Sequence, residues 1–291
     1  MSPKNATREP PPAVVLDAGA TTDVGLRRTA NEDSYLTGYP IFAVADGMGG
    51  HDAGDRASQA VIQRLSTLVG EREIQPETLV AVLETARVSV AAIADETERG
   101  AGSTVTGVAV SMHDGTAHWL VFNIGDSRVY RLHDGLLSQL SIDHSLVQQL
   151  LDSGELAPAD LASFRGKNVI TRAVGADDSD ADFWMHPILQ NERLLLCSDG
   201  LTGEATDEEI REVLLATPGA QPAADALVKR ALANGGKDNV TVVVLDVLVG
   251  GIAQVFEEET VLSSRRAAEL NENARADTVE IPIRKGPDGR G

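Results

Sequence analysis

The sequence predicts an α/β sandwich of mainly antiparallel sheets with helix pairs on their outer faces. Three observations lead there. Runs of strand formers, "STVTGVAVSM", "TAHWLVFNI" and "SRVYRL", are separated by "HDG" and "GD" and followed by a second "HDG", a spacing that suits hairpins. Helical blocks come in consecutive pairs, and each carries one apolar stripe that needs a sheet to cover it. Strands and helices do not alternate as a doubly wound parallel sheet requires.

Taken in order, residues 1–12 are polar and end in three prolines, which marks a disordered leader. A single domain over 13–250 follows. Its first helix is expected from about Asp52 to Val69, with Ala57, Ala60, Val61, Leu65 and Leu68 at helical spacing. A second starts near Pro76, carries Leu79, Val82, Leu83, Ala86, Val90 and Ile93 on one face, and stops at Gly100. Residues 103–140 read as one antiparallel meander. Helix-biased sequence covers Ser145 to Gly166, strands return at "NVITRAVG" and "RLLLCSD", and helices at Asp207–Ala216 and Pro222–Ala233 precede the closing strand "VTVVVLDVLV". Residues 251–291 are polar and charged, a flexible tail with a weak helical signal around Arg265 to Leu270.

Composition excludes several functions. A net charge of -19 repels a phosphodiester backbone, so nucleic-acid capture is not expected. The one cysteine, Cys197, lies in the apolar run "LLLCSDG"; no intrachain disulfide can form, and a buried thiol in the reducing cytoplasm is expected. No stretch reaches the ~20 apolar residues of a membrane span, and the first residues lack the apolar core of a signal peptide.

Aspartates recur where strand-like runs meet glycine: Asp46 in "IFAVADGMGG", Asp126 in "NIGDSRVY", Asp199 in "LLLCSDGL", with Asp238 just before the last strand in "KDNVTVVVL". A carboxylate is costly to desolvate alone, so its repeated use at strand ends points to hard cations such as Mg²⁺ or Mn²⁺. Gly47 lets the backbone approach an ion, and its carbonyl is a candidate ligand. In "GLRRTANEDSY", Arg28 precedes Glu32 and Asp33, a group that taken alone reads as a plain surface ion pair.

In this order, "DGMGGH", "GDSR", "SDGL" and "KDNVT" resemble the PPM family of metal-dependent protein phosphatases, also called protein phosphatase type 2C, in its bacterial branch. The resemblance spans nearly all of Val14 to Val249. It implies two sheets face to face between helix pairs, an α-β-β-α order, with two Mn²⁺ or Mg²⁺ ions at one edge and a weaker third. By the same resemblance Asp46 bridges two metals, Asp199 and Asp238 complete the first, and Glu32 with the Gly47 carbonyl serves the second. Asp126 joins Asp199 at the third, Asp33 orients water at the metals, and Arg28 clamps the substrate phosphate. The residue types suit these roles, since guanidinium binds two phosphate oxygens at once and paired metals activate water for in-line displacement. The implied activity is hydrolysis of phosphoserine and phosphothreonine in proteins, opposing a bacterial Ser/Thr kinase. The rival reading is a non-catalytic protein of the same fold that binds or regulates a partner; it predicts a missing ligand, and Glu32, Asp46, Asp199 and Asp238 are all present.

One departure stands out. Eukaryotic-type members carry a histidine directly after the Asp-Gly pair, where this chain has Met48; His51 follows, as a proton donor for the leaving oxygen or as a helix-start residue. His144 opens a segment, Asp143 to Gly175, that reads as a substrate-facing flap or as a structural helix pair. Lys167 and Arg172 either steer a phosphopeptide or are solvated charge. His113, His118, His133 and His186 lack metal-ligand spacing and receive no role. In the tail, Thr260 and Thr278 share acidic-Thr-Val contexts, open to phosphorylation and capture by an FHA-type module, or to a plain acidic linker.

Overall fold

The computed structural model describes residues 14–49, 53–161, 164, 166, 169–252 and 279–280. Two sheets stack face to face. The five-stranded sheet runs in the order β1 (Val15–Asp23), β11 (Val240–Val249), β10 (Arg193–Cys197), β7 (Arg128–His133) and β8 (Leu136–Gln139). The seven-stranded sheet runs β12 (Val279–Glu280), β9 (Asp182–Pro187), β6 (Thr116–Ile124), β5 (Val105–His113), β3 (Ile41–Gly49) and β2 (Asp33–Gly38), with β4 (Ala101–Ser103) pairing beside β3. All named pairings are antiparallel.

The period-2 side-chain alternation builds three apolar layers from these strands. Phe42, Val44, Leu194, Leu196, Val243 and Leu245 face the space between the sheets, together with Trp119 and Val121. Ile41, Ala43 and Ala45 face outward to α1 (Ala53–Leu65) and α2 (Pro76–Asp95). Leu195, Cys197, Val242 and Val244 face α5 (Asp207–Ala216) and α6 (Ala220–Asn234). Central strands buried on both faces read as unbroken apolar runs even though the sheets are antiparallel, which reverses the usual half-polar pattern.

The helices begin where local chemistry permits. Pro76 occupies the first turn of α2, where its missing N–H costs nothing. Thr206 and Glu209 form a reciprocal capping box on α5. The short α3 (Leu146–Asp152) is capped by Ser145, whose hydroxyl accepts from the Gln148 amide at 3.2 Å. Among the described residues no helix is long and apolar enough to cross a membrane.

Two expectations need correction. Residues 103–140 are not one meander: β5–β6 and β7–β8 are hairpins in different sheets, and the chain changes sheet at Gly125–Asp126. Gly125 turns there at φ 107°, a left-handed value that glycine tolerates best. Residues 169–175 do not form a strand; only Ile170 and Val174 make isolated bridges, to Ser145 and Ser103. The strand lies further on, at β9, where Phe183 and Met185 face the α1/α2 layer and Trp184 faces the middle one. The suggested helix at 265–270, the leader at 1–12 and both tail threonines lie outside the described residues. Val279–Glu280 pairs antiparallel with Trp184 and Met185 of β9.

Candidate metal centre and active site

Strand ends from both sheets meet at one edge of the sandwich. The end of β3 carries Asp46 and Gly47, the start of β2 carries Asp33, and the two aspartates face each other in register. From the other sheet, β10 ends at Cys197 and leads into α4 (Asp199–Thr202), while Asp238 precedes β11. The sheet-switching corner supplies Asp126. The candidate residues are thus brought to a common edge by the packing of the two sheets.

Glycine makes the closeness possible. A Cβ at Gly47 would fall inside the Gly54 carbonyl and 2.7 Å from the Glu32 carbonyl oxygen. A Cβ at Gly54 would meet Glu32 Oε1 at 2.6 Å, so the Glu32 carboxylate rests on the first turn of α1. The Glu32 carbonyl accepts from the Gly47 amide at 3.1 Å and from Ser58 Oγ at 2.6 Å.

Burial shapes the electrostatics. Burial pushes the Asp33 carboxyl up to about 7, with the Asp199 and Asp238 charges adding to it and hydrogen bonds from Thr241 and Ser198 opposing. Asp126 is likewise raised to about 7, by burial and then by Asp199. Asp46 stands well above the ordinary carboxylate range, because burial is joined by the charges of Asp33, Asp199, Asp126 and Asp238. Asp199 is raised by burial and by Asp238, and Glu32 by burial, which Arg28 partly offsets. Asp33 Oδ1, Asp126 Oδ1 and Asp199 Oδ1 are buried and have no hydrogen-bond partner among the described residues. Carboxylates that repel each other and leave oxygens unpaired suit divalent cations with oxygen ligands, so the residues fit the implied metals.

The side chains do not form a finished shell. Among the described residues no three Asp, Glu, His or Cys groups are disposed to hold an ion as they stand. Asp238 Oδ2 instead takes a 2.7 Å bond from Arg28 Nη2. A cleft of about 710 Å³ reaches Asp126, Asp199 and Asp238 and runs beneath Val147 and Leu161 of the 143–175 segment. His51 lies outside the described residues, as does Lys167.

Several neighbours escaped the sequence reading. Asn239 ties the loop before β2 in place: Oδ1 accepts from the Glu32 amide at 2.9 Å, and Nδ2 donates to the carbonyls of Val24 and Ala30 at 3.0 and 2.9 Å. Ser198 Oγ donates to Asp33 Oδ2 at 2.8 Å, and Thr104 Oγ1 accepts from the Asp46 amide at 3.0 Å. Arg128, within "GDSR", pairs with Asp143 through Nη2 at 2.7 Å and donates to Tyr130 Oη at 2.9 Å. Their signal in the chain is weak because Ser, Thr and Asn suit exposed turns equally well.

The pKa shifts predict a pH-dependent stability. Folded Asp33 and Asp126 keep protons up to about pH 7, whereas an unfolded aspartate releases them near its reference value of 3.8. The folded form is therefore favoured below that value, and the advantage is lost as pH rises through about 7, up to about 4 kcal/mol for one such group. In EDTA, calorimetry across pH 4 to 8 should show a fall in Tm that Asp126→Asn flattens. Added Mn²⁺ should recover most above pH 7. An unchanged slope in the variant contradicts the assignment.

A model of the protein phosphatase 2C family matches residues 27–237. The chain is 40% identical over 241 residues to the serine/threonine protein phosphatase PstP of Mycobacterium tuberculosis, covering 81% of this chain and 46% of that protein. It thus spans about half the length of that relative. Against the serine/threonine phosphatase stp of Listeria monocytogenes it is 34% identical over 245 residues, covering 79% of this chain and 96% of the relative. The crystal structure of the M. tuberculosis phosphatase matches at a TM-score of 0.75 and 37% identity, over 81% of this chain and all of that one. A structure of the PstP catalytic domain with two manganese ions matches at 0.73 and 36% identity, with the same coverage. Sequence, fold and the strand-end carboxylates agree: the chain belongs to the protein phosphatase 2C family of serine/threonine phosphatases, in its bacterial branch.

Proposed function

We propose that this protein hydrolyses phosphoserine and phosphothreonine monoesters in other proteins, with two Mn²⁺ or Mg²⁺ ions, in opposition to a bacterial Ser/Thr kinase. The observation that carries the reading is the set of buried, mutually repelling carboxylates at one sheet edge, three of them with unpartnered oxygens, beside an arginine. Asp46 would lie between the two ions, Asp199 and Asp238 would hold the first, and Glu32 with the Gly47 carbonyl the second. Asp126 with Asp199 would hold a weaker third. When bound, such ions supply Lewis acidity and an activated water.

The chain's own residues do the rest. Arg28 is half-exposed and held by Asp238; once Asp238 turns to a cation, the guanidinium is free to grip two phosphate oxygens. Asp33 Oδ2 is held by Ser198, which leaves Oδ1 free to accept a hydrogen bond from a water at the metals and so orient it. Cys197 takes no part: it is fully buried, and burial pushes its thiol up to about 12. A reduced, buried thiol also supports placement in the cytoplasm. A tail phosphothreonine at Thr260 or Thr278 remains part of the proposal as a docking point for an FHA-type partner.

The test is phosphate release from a phosphothreonine peptide. We expect activity with Mn²⁺, none in EDTA, and a KM raised on the order of 10- to 100-fold by Arg28→Ala, with Arg28→Lys intermediate. Turnover that persists in EDTA would exclude the mechanism.

A further inference from the structure

We infer that His144 is a positioning residue: it clamps the Gly125–Asp126 corner to the 144–182 segment and so sets where the Asp126 carboxylate points. His144 reaches both peptide groups of Gly125, sharing the carbonyl with Asn123 Nδ2, which donates to it at 2.9 Å. The Gly125 amide donates to His144 Nδ1 at 3.2 Å, and the Gly125 carbonyl accepts from the His144 amide at 2.8 Å. An amide can only donate, so Nδ1 carries the lone pair and the ring proton sits on Nε2. Nε2 in turn faces Asp182 Oδ2 at 3.0 Å. Arg172 Nη1 donates to Asp182 Oδ1 at 2.9 Å and lies 3.2 Å from Nε2, closing the group with a positive charge.

The corner needs such a clamp. It is where the chain leaves one sheet for the other, so no ladder continues through it, and Gly125 sits at φ 107°. Asp126 is 9% exposed and its Oδ1 has no partner among the described residues, so the direction of the carboxylate is inherited from the backbone beneath it. His144 is placed for this role by strand-like alternation: Asp143 and Ser145 line the cleft, while His144, 6% exposed, turns inward to Gly125. The opposite root of the segment is tied too. The Thr171 amide donates to the His144 carbonyl at 2.8 Å, and the Val174 amide donates to Ser103, whose hydroxyl reaches the Asp46 carbonyl. His144 and Val174 are therefore tied to Gly125, next to Asp126, and to Ser103, which bonds Asp46.

The consequence for metal rests on the reading of Asp126 given above; the coupling itself does not. Two conservative variants separate the imidazole's contacts. His144→Asn keeps an acceptor near the Nδ1 position and cannot reach Asp182. His144→Gln keeps a donor near Nε2 and loses the acceptor. In metal-free protein, hydrogen exchange at Gly125 should quicken about tenfold in His144→Gln and stay as in the wild type in His144→Asn, which instead quickens residues 146–152. In Mn²⁺ titrations followed by electron paramagnetic resonance, His144→Gln should weaken only the weakest site, by about tenfold, with the tighter sites unchanged. Equal exchange at Gly125 in both variants, or wild-type protection in His144→Gln, overturns the clamp. If exchange divides as expected while every Mn²⁺ site is unchanged, the clamp stands and the metal role of Asp126 is overturned.

Discussion

Asp46→Asn should reduce phosphate release by about 10³-fold or more and, in EDTA, should raise the melting temperature. The two effects share one cause. Asp46 is raised well above the carboxylate range by burial and by the charges of Asp33, Asp199, Asp126 and Asp238. With no cation present, each of these carboxylates must hold a proton or tolerate a buried charge, so a neutral side chain of the same shape relieves the metal-free protein by about 1–3 kcal/mol. The same substitution removes the oxygens proposed to lie between two ions, and with them the charge stabilisation that metal catalysis depends on. Calorimetry in EDTA and in Mn²⁺, beside a phosphopeptide assay, measures both. The wild type should gain far more from Mn²⁺ than the variant. A variant that loses stability in EDTA and retains turnover would show that Asp46 is an ordinary structural aspartate.

Gly47→Ala should damage fold and activity together. The added Cβ would press into the Gly54 carbonyl and lie 2.7 Å from the Glu32 carbonyl oxygen, and both are backbone atoms that cannot rotate aside. The end of β3 must then separate from the first turn of α1, which displaces Asp46 on one side and the Glu32 carboxylate on the other. We expect a loss of about 3 kcal/mol or more, together with most of the phosphatase activity. Gly70→Ala is the control: Gly70 has φ 91° but nothing within 4 Å of an added Cβ, so its cost is backbone strain alone, about 1–2 kcal/mol, with turnover intact. Urea melts of the two variants, read beside phosphate release, separate crowding at the site from general glycine strain. Equal destabilisation in both would show that the close approach of β3 to α1 is not what Gly47 serves.

Much of the molecule was legible in the chain. The α5 boundaries, Asp207–Ala216, are those expected from the chain, and α1 and α2 begin within a residue of their expected starts at Asp52 and Pro76. Asp46, Asp126, Asp199 and Asp238 were marked by strand-like runs that meet glycine or a turn, because an apolar strand has few reasons to end on a carboxylate. Those signals are local, carried by side-chain period and turn chemistry. Which strands pair is not local. Period 2 says that Val129 and Phe122 are strand residues, but nothing in either run says that they belong to different sheets; that depended on Gly125 turning the chain and on two sheets closing over one apolar layer. Sequence alone therefore determined the elements and the acidic chemistry. Tertiary structure decided the sheet switch, the β9 strand and the partners that orient the carboxylates. Asn239 at Glu32, Ser198 at Asp33 and His144 at Gly125 are hydrogen bonds across 207, 165 and 19 residues, and such contacts exist only once the strand ends have been packed into one edge.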